Sequence, residues 1–302
     1  MTRHRRPARH IAPSDAAYRA ATGVVDDVFN TLGLPLTSDP RDIVARLTQA
    51  LPKDVLQRFD QLEGSESARL NLIWENPDNA LWLGVGLRAP MVRAQLIWLL
   101  QVLQSAGIDS SSLVLDVGAG CGVSSATIKR ATGATVIAIE PGRGSAVASL
   151  HVAEKVGARV TPHEIPAARM ADLDLGEIGA VVAQAVITYL QPGLSTLGGA
   201  STATRVHQML LTPPTATADA LAVFGAGEEA RRLVVIDHAY PALWGFVLEQ
   251  ASAHSLVPDW STAATFEFAL PLGGDRQVGL AFRPGGAVPN DASRLIAMLI
   301  GS

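Results

Sequence analysis

One stretch, Leu113-Val114-Leu115-Asp116-Val117-Gly118-Ala119-Gly120-Cys121-Gly122, constrains the fold of this chain more than any other. Leu113 to Leu115 are apolar and suit a strand buried on both faces of a parallel sheet. The run ends in Asp116, and the chain then passes through Gly118, Gly120 and Gly122. Glycines remove side chains where a backbone must turn sharply and come close to a ligand. Val123 to Ala131 read as a helix whose N-terminal amides point back at that turn. A second apolar run, Thr135 to Ile139, ends in Glu140. A carboxylate at the end of that strand can accept two hydrogen bonds from a ribose diol. A nicotinamide-dinucleotide fingerprint requires G-x-G-x-x-G, and here the sixth position is Val123. Asp116 would also repel a pyrophosphate.

The glycine turn, the acidic residue before it and Glu140 after it resemble motif I and the second acidic motif of the class I S-adenosylmethionine (SAM) dependent methyltransferases. The resemblance covers residues 111–302. It implies SAM as cofactor, with Asp116 facing the amino end of the methionine moiety. By the same resemblance Gly118, Ala119, Gly120 and Gly122 line the methionine end and Glu140 holds the ribose. Pro141 and Gly142 would lie against the adenine, and Glu164 with Ile165, after the third strand, would meet its edge. Gln184, at the end of the fourth strand, matches the polar position close to the sulfonium and amino group. The segment Ala183 to Leu190 lacks the Asn-Pro-Pro-Tyr type motif of enzymes that methylate nucleobase or glutamine amides.

The rest of the chain is organised around this motif. Residues 14–110 read as helical. Helices are expected from Ser14 to Leu32, from Pro40 to about Leu51, from Pro52 to Leu62 and from Ser67 to Trp74. The strongest runs from Ala89 to Ala106, with Val92, Leu96, Leu99, Leu100 and Leu103 on one face and Gly107 as its stop. Strand candidates follow at 113–117, 135–140, 158–161, 179–184, 232–237, 265–270 and 278–282. Helices fall between the first five, which is a doubly wound α/β pattern with a parallel sheet. Leu272 to Arg276 reads as a hairpin turn joining the last two strands. A Rossmann-like seven-stranded sheet with an antiparallel C-terminal hairpin is the fold the resemblance implies. An all-helical N-terminal cap or substrate domain over residues 14–110 precedes it. Ala185 to Arg231 is far longer than a minimal crossover, and an insertion over about 191–229 is read as a substrate lid.

Composition narrows the function classes. The formal net charge is −4 and hydrophobic residues make up 48% of the chain. No basic patch marks a nucleic-acid partner. The one basic run lies in residues 1–13, which read as a disordered tail without an apolar segment behind it. No membrane-spanning helix is expected. With Cys121 as the single cysteine, an intrachain disulfide is impossible, and a soluble cytoplasmic protein is the expectation. Cys and His show no metal-site spacing.

Methyl transfer from a sulfonium leaves the protein to align the nucleophile and remove its proton. His238, following Asp237 at the end of the fifth strand, is the candidate general base. Tyr189 is the candidate for positioning substrate. Trp74, Trp82 and Trp98 are candidates to line an apolar pocket under the cap. The expected activity is methyl transfer to an oxygen or nitrogen of a small molecule, with no nucleic-acid or membrane partner, and a homodimer is compatible with it. The alternatives keep the fold and cofactor and change the reaction. They are aminocarboxypropyl transfer, as in nicotianamine synthase-like enzymes, a SAM-bound cyclase, or a non-catalytic partner subunit.

Overall fold

The computed structural model describes residues 15–62, 66–188, 190, 214–270 and 273–286. Six helices precede the first strand: α1 (Asp15–Leu32), α2 (Pro40–Ala50), α3 (Lys53–Gln61), α4 (Glu66–Ile73), α5 (Pro77–Gly84) and α6 (Ala89–Ser105). Two start as their sequences dictate. Asp39 accepts the amide of Arg41 ahead of Pro40 in α2, and Asn76 accepts the amide of Asn79 ahead of Pro77 in α5. α5 has no counterpart in the sequence expectations, because its apolar residues, Ala80 to Leu83, run consecutively and mark no single helix face.

From residue 113 strands and helices alternate: β1 (Leu113–Val117), α7 (Val123–Thr132), β2 (Thr135–Ile139), α8 (Arg143–Lys155), β3 (Thr161–His163) and β4 (Ile178–Gln184). After the crossover come α9 (Ala218–Glu229), β5 (Arg232–His238), α10 (Pro241–Ala253), β6 (Leu256–Leu270) and β7 (Gly273–Pro284). The seven strands form one sheet in the order β3-β2-β1-β4-β5-β7-β6. β1 to β5 are parallel, and β7 runs antiparallel to both β5 and β6. The fold is therefore the doubly wound sheet with a reversed C-terminal hairpin that the resemblance implies.

Alternation along each strand divides the core in two. Val114, Val136, Ala180, Val182, Val234 and Ala281 face one side, where they pack with α1, α6 and the buried residues of α7 and α8. Leu115, Val117, Val181, Ala183, Leu233 and Val235 face the other, against α9, α10 and Ala167–Met170. α1 and α6 thus complete the core of the sheet itself.

Two strands differ from the sequence reading for one reason. β3 lies two to three residues beyond the expected 158–161 and contains Pro162, and β6 begins nine residues before the expected 265 and contains Pro258. Both are edge strands, where a proline withholds no needed ladder donor. β6 and β7 pair up to Leu270 and Gly273, so Gly273 to Arg276 of the expected turn belong to β7, and Leu272 lies outside the described residues. The stretch Pro77–Ser105, contrary to expectation, is long and apolar enough by composition to cross a membrane. Half of it is buried inside the protein, and the turn at Gly86–Arg88 interrupts it. Packing α6 into the core accounts for its apolarity. The basic tail and the larger part of the expected lid, residues 191–213, lie outside the described residues, as does Tyr189.

Candidate functional site

The carboxyl ends of β1, β2, β4 and β5 converge on the glycine turn. Gly118, Gly120 and Gly122 all have positive φ, at +67°, +55° and +79°. Gly118 needs more than its backbone freedom. A Cβ there would lie 2.2 Å from Cγ2 of Val186, so the chain leaving β4 rests directly on this glycine. Gly122 is equally confined, by Ser149 of α8. The turn hands over to α7, whose N-cap is Gly122 itself.

Asp116 is fully buried and turned toward α7. Its Oδ2 accepts hydrogen bonds from Ser124 Oγ at 2.6 Å and Ser125 Oγ at 2.5 Å. Its Oδ1 is buried with no hydrogen-bond partner among the described residues. Burial raises its pKa, partly offset by the two serines. Asp116 therefore ties the turn to its helix and keeps one acceptor in reserve.

Glu140 reaches back from β2 to the turn, where its Oε2 accepts the amide of Gly120 at 3.2 Å. Burial raises its pKa, and the amides of Gly120 and Gly142 oppose that shift. The acidic strand end and the glycine turn, separated in sequence, are thus in hydrogen-bond contact. Pro141 and Glu164 are exposed, Gly142 precedes α8, and Ile165 is half-buried. Cys121 is buried inside the turn and burial pushes its thiol up to about 11, which removes it as a nucleophile at neutral pH.

Trp74, between α4 and α5, was expected to line a pocket, and it lies over the turn. Its Cη2 is 3.6 Å from where a Gly120 side chain would begin, and its carbonyl oxygen is 2.6 Å from the same position on Gly144. Trp82 is instead buried in the core, against Gly86. Trp98 donates from Nε1 to the Thr262 carbonyl at 2.8 Å and meets Phe266 edge-on.

At the end of β4, Ala185 adopts φ +54°, a left-handed conformation that is costly for a residue with a side chain. Two contacts hold it there. Its amide donates to the Ile236 carbonyl at 2.6 Å, and Val186 fills the space over Gly118. Asp237, fully buried, anchors the residues that follow. It accepts the hydroxyl of Thr188 and its amide, the latter at 3.1 Å, and the His238 amide at 2.8 Å. Burial raises the Asp237 pKa, with His238 and these donors opposing.

Asp237 and His238 lie on opposite faces of β5, and His238 donates to the Asp237 carboxylate through its backbone amide. His238 faces α6, its ring stacked on Tyr240 with centroids 5.5 Å apart and planes 13° from parallel. Register places Gln184 level with Ile236, and Gln277 level with His238, on the same face. Gln184 donates from Nε2 to Gln95 Oε1 at 2.8 Å, and Gln95 donates from Nε2 to Gln277 Oε1 at 2.7 Å. The sequence reading passed over Gln95. Its signal was a polar residue on the otherwise apolar stripe of α6, four before Leu99. Among the described residues no group of three or more His, Cys, Asp or Glu side chains is placed to hold a metal ion.

No protein-family model matches this chain, and no curated protein matches it in sequence. It is similar to solved structures of low identity. One is a candidate RNA methyltransferase from Pyrococcus horikoshii, 16% identical with a TM-score of 0.44, spanning 62% of this chain and 82% of that one. Another is precorrin-6y C5,15-methyltransferase from Geobacter metallireducens, 14% identical with a TM-score of 0.42, spanning 61% and 86%. A third is TrmK of M. capricolum in complex with S-adenosyl-homocysteine, 8% identical with a TM-score of 0.40, spanning 63% and 70%. These similarities concern the fold alone, which the strand order establishes independently.

Proposed function

We propose that this protein is a SAM-dependent methyltransferase acting on an oxygen or nitrogen of a small molecule. The observation that carries the reading is the joining of the left-handed glycine turn to the Glu140 carboxylate. A turn stripped of side chains, a helix N-terminus behind it and an acceptor pair beside it suit a nucleoside carrying a cationic amino acid. The spare Oδ1 of Asp116 fits the same ligand, since a buried acceptor without a partner favours an ammonium donor. Bound SAM would supply an electrophilic methyl group.

The chain's own residues then do the following. Glu140 exchanges the Gly120 amide for ribose hydroxyls. Gln184, at the end of β4, lies level with the Gly118 turn, because Ala183 pairs with Val117. Trp74 covers the turn from the helical segment and helps exclude water. His238, on the α6 side at the end of β5, takes the proton from the accepting atom. The net charge of −4 favours a small substrate over a nucleic acid, and the cytoplasm is the proposed compartment.

Glu140→Ala is expected to weaken SAM binding by about 1–3 kcal/mol through the lost charge-assisted pair. The pH dependence follows from burial. Because the Glu140 pKa is raised, protonation on acidification begins at a higher pH than for an ordinary glutamate. The protonated acid is a poorer ribose acceptor, so affinity should fall as pH drops through that range. Glu140→Gln should flatten this dependence, as titration calorimetry across pH can show. Unchanged affinity in Glu140→Ala removes Glu140 from the ribose site.

The reaction itself is tested by mass spectrometry of the cofactor-derived product. S-adenosylhomocysteine means methyl transfer. Methylthioadenosine means aminocarboxypropyl transfer and overturns the assignment.

A further inference from the structure

The amide chain from Gln184 through Gln95 to Gln277 spans β4, the N-terminal helix α6 and the reversed strand β7. Gln95 and Gln277 are each only 1% exposed. A primary amide buried this deeply is costly unless its groups are paired, and Gln95 is paired at both ends. Packing alone would be served as well by a methionine or leucine, the residue types that otherwise fill this face of α6. What the amide adds is direction. A carboxamide has an acceptor end and a donor end, and turning it over exchanges them. Gln95 Oε1 takes the Gln184 Nε2 donor, while Gln277 Oε1 takes the Gln95 donor, so the chain runs one way. Gln184 is left offering Oε1, an acceptor, at the carboxyl end of β4 beside the glycine turn.

We propose that Gln95 is a positioning residue that orients the Gln184 amide with its acceptor toward the α-ammonium end of the cofactor. This rests on the SAM reading above. Removing the Gln95 amide frees Gln184 to turn and present its NH2 group, a donor, to a cation. The helical segment then contributes to cofactor recognition through Gln95, which never touches the ligand. Adenosine recognition, assigned to Glu140 and the residues after it, should be indifferent to the change.

The test uses two probes, S-adenosylhomocysteine and 5′-methylthioadenosine, which lacks the amino-acid end. Calorimetric titration of Gln95→Met, matched in length and unbranched, should show S-adenosylhomocysteine weakened roughly 5- to 50-fold while methylthioadenosine stays within about twofold. In a Gln184→Leu background, which has no acceptor to orient, Gln95→Met should have no further effect on either probe. Should Gln95→Met fail to fold by circular dichroism, Gln95→Leu takes its place. Equal weakening of both probes, no change in either, or a further selective loss from Gln95→Met in the Gln184→Leu background overturns the inference. If the unaltered protein binds neither probe, the cofactor reading itself fails, and this inference with it.

Discussion

Gly118→Ala should lose binding of S-adenosylhomocysteine and unfold at markedly lower denaturant, and both effects have the same origin. The new Cβ would sit 2.2 Å from Val186 Cγ2 and 2.7 Å from its Cβ. Neither contact can be relieved by swinging a flexible side chain, because Val186 is held by the left-handed Ala185 behind it. The φ of +67° adds about 1–2 kcal/mol for a residue with a side chain. Overpacking of this kind adds about 1–3 kcal/mol. Relief requires moving the β4 exit away from the glycine turn, which opens the place where the cofactor would be held. Gly120→Ala is the matched control. Its φ is also positive, yet the nearest atom to its Cβ is Trp74 Cη2 at 3.6 Å, so only the backbone cost applies. Urea denaturation of the two variants should separate them by more than the uncertainty of either midpoint. Equal midpoints would show that Val186 does not brace the turn.

His238→Ala should lower turnover about a hundredfold or more while leaving cofactor affinity unchanged, the signature of a lost general base. The structure sharpens why. His238 stands at the carboxyl end of β5 on the same face as Gln184, while Asp237 faces away and is spent on Thr188 and a backbone amide. Its imidazole stacks on Tyr240, a contact the variant gives up. Trp244 Nε1 donates to the His238 carbonyl, a contact the substitution keeps. Initial rates of S-adenosylhomocysteine formation with an accepted substrate give the comparison. A rate equal to that of the unaltered protein assigns His238 to structure alone.

The fold was legible wherever one residue pattern dominated. β1, β2, β4 and β5 are largely apolar runs with polar residues at or just past their ends, α6 declares itself by its apolar stripe, and α2 by its Asp39 cap and Pro40. α5 was hidden because its apolar residues run consecutively, and β3 and the first half of β6 by prolines that only an edge position permits. The site was legible where chemistry needs a residue type. The glycine turn and the acidic strand end are in contact, with the Glu140 carboxylate on the Gly120 amide. What stayed hidden depends on three-dimensional pairing. Nothing local in the sequence tells that Asp116 spends one oxygen on Ser124 and Ser125, or that Asp237 holds Thr188. Gln95 meets Gln184 and Gln277 from the helical segment, through packing that no spacing rule encodes.

The central claim is that the glycine turn and Glu140 form a SAM site, and calorimetric titration with SAM and with S-adenosylhomocysteine tests it most directly. Micromolar binding of both, one ligand per chain, is the expected result. Absence of heat and of any thermal stabilisation with either ligand would contradict the account.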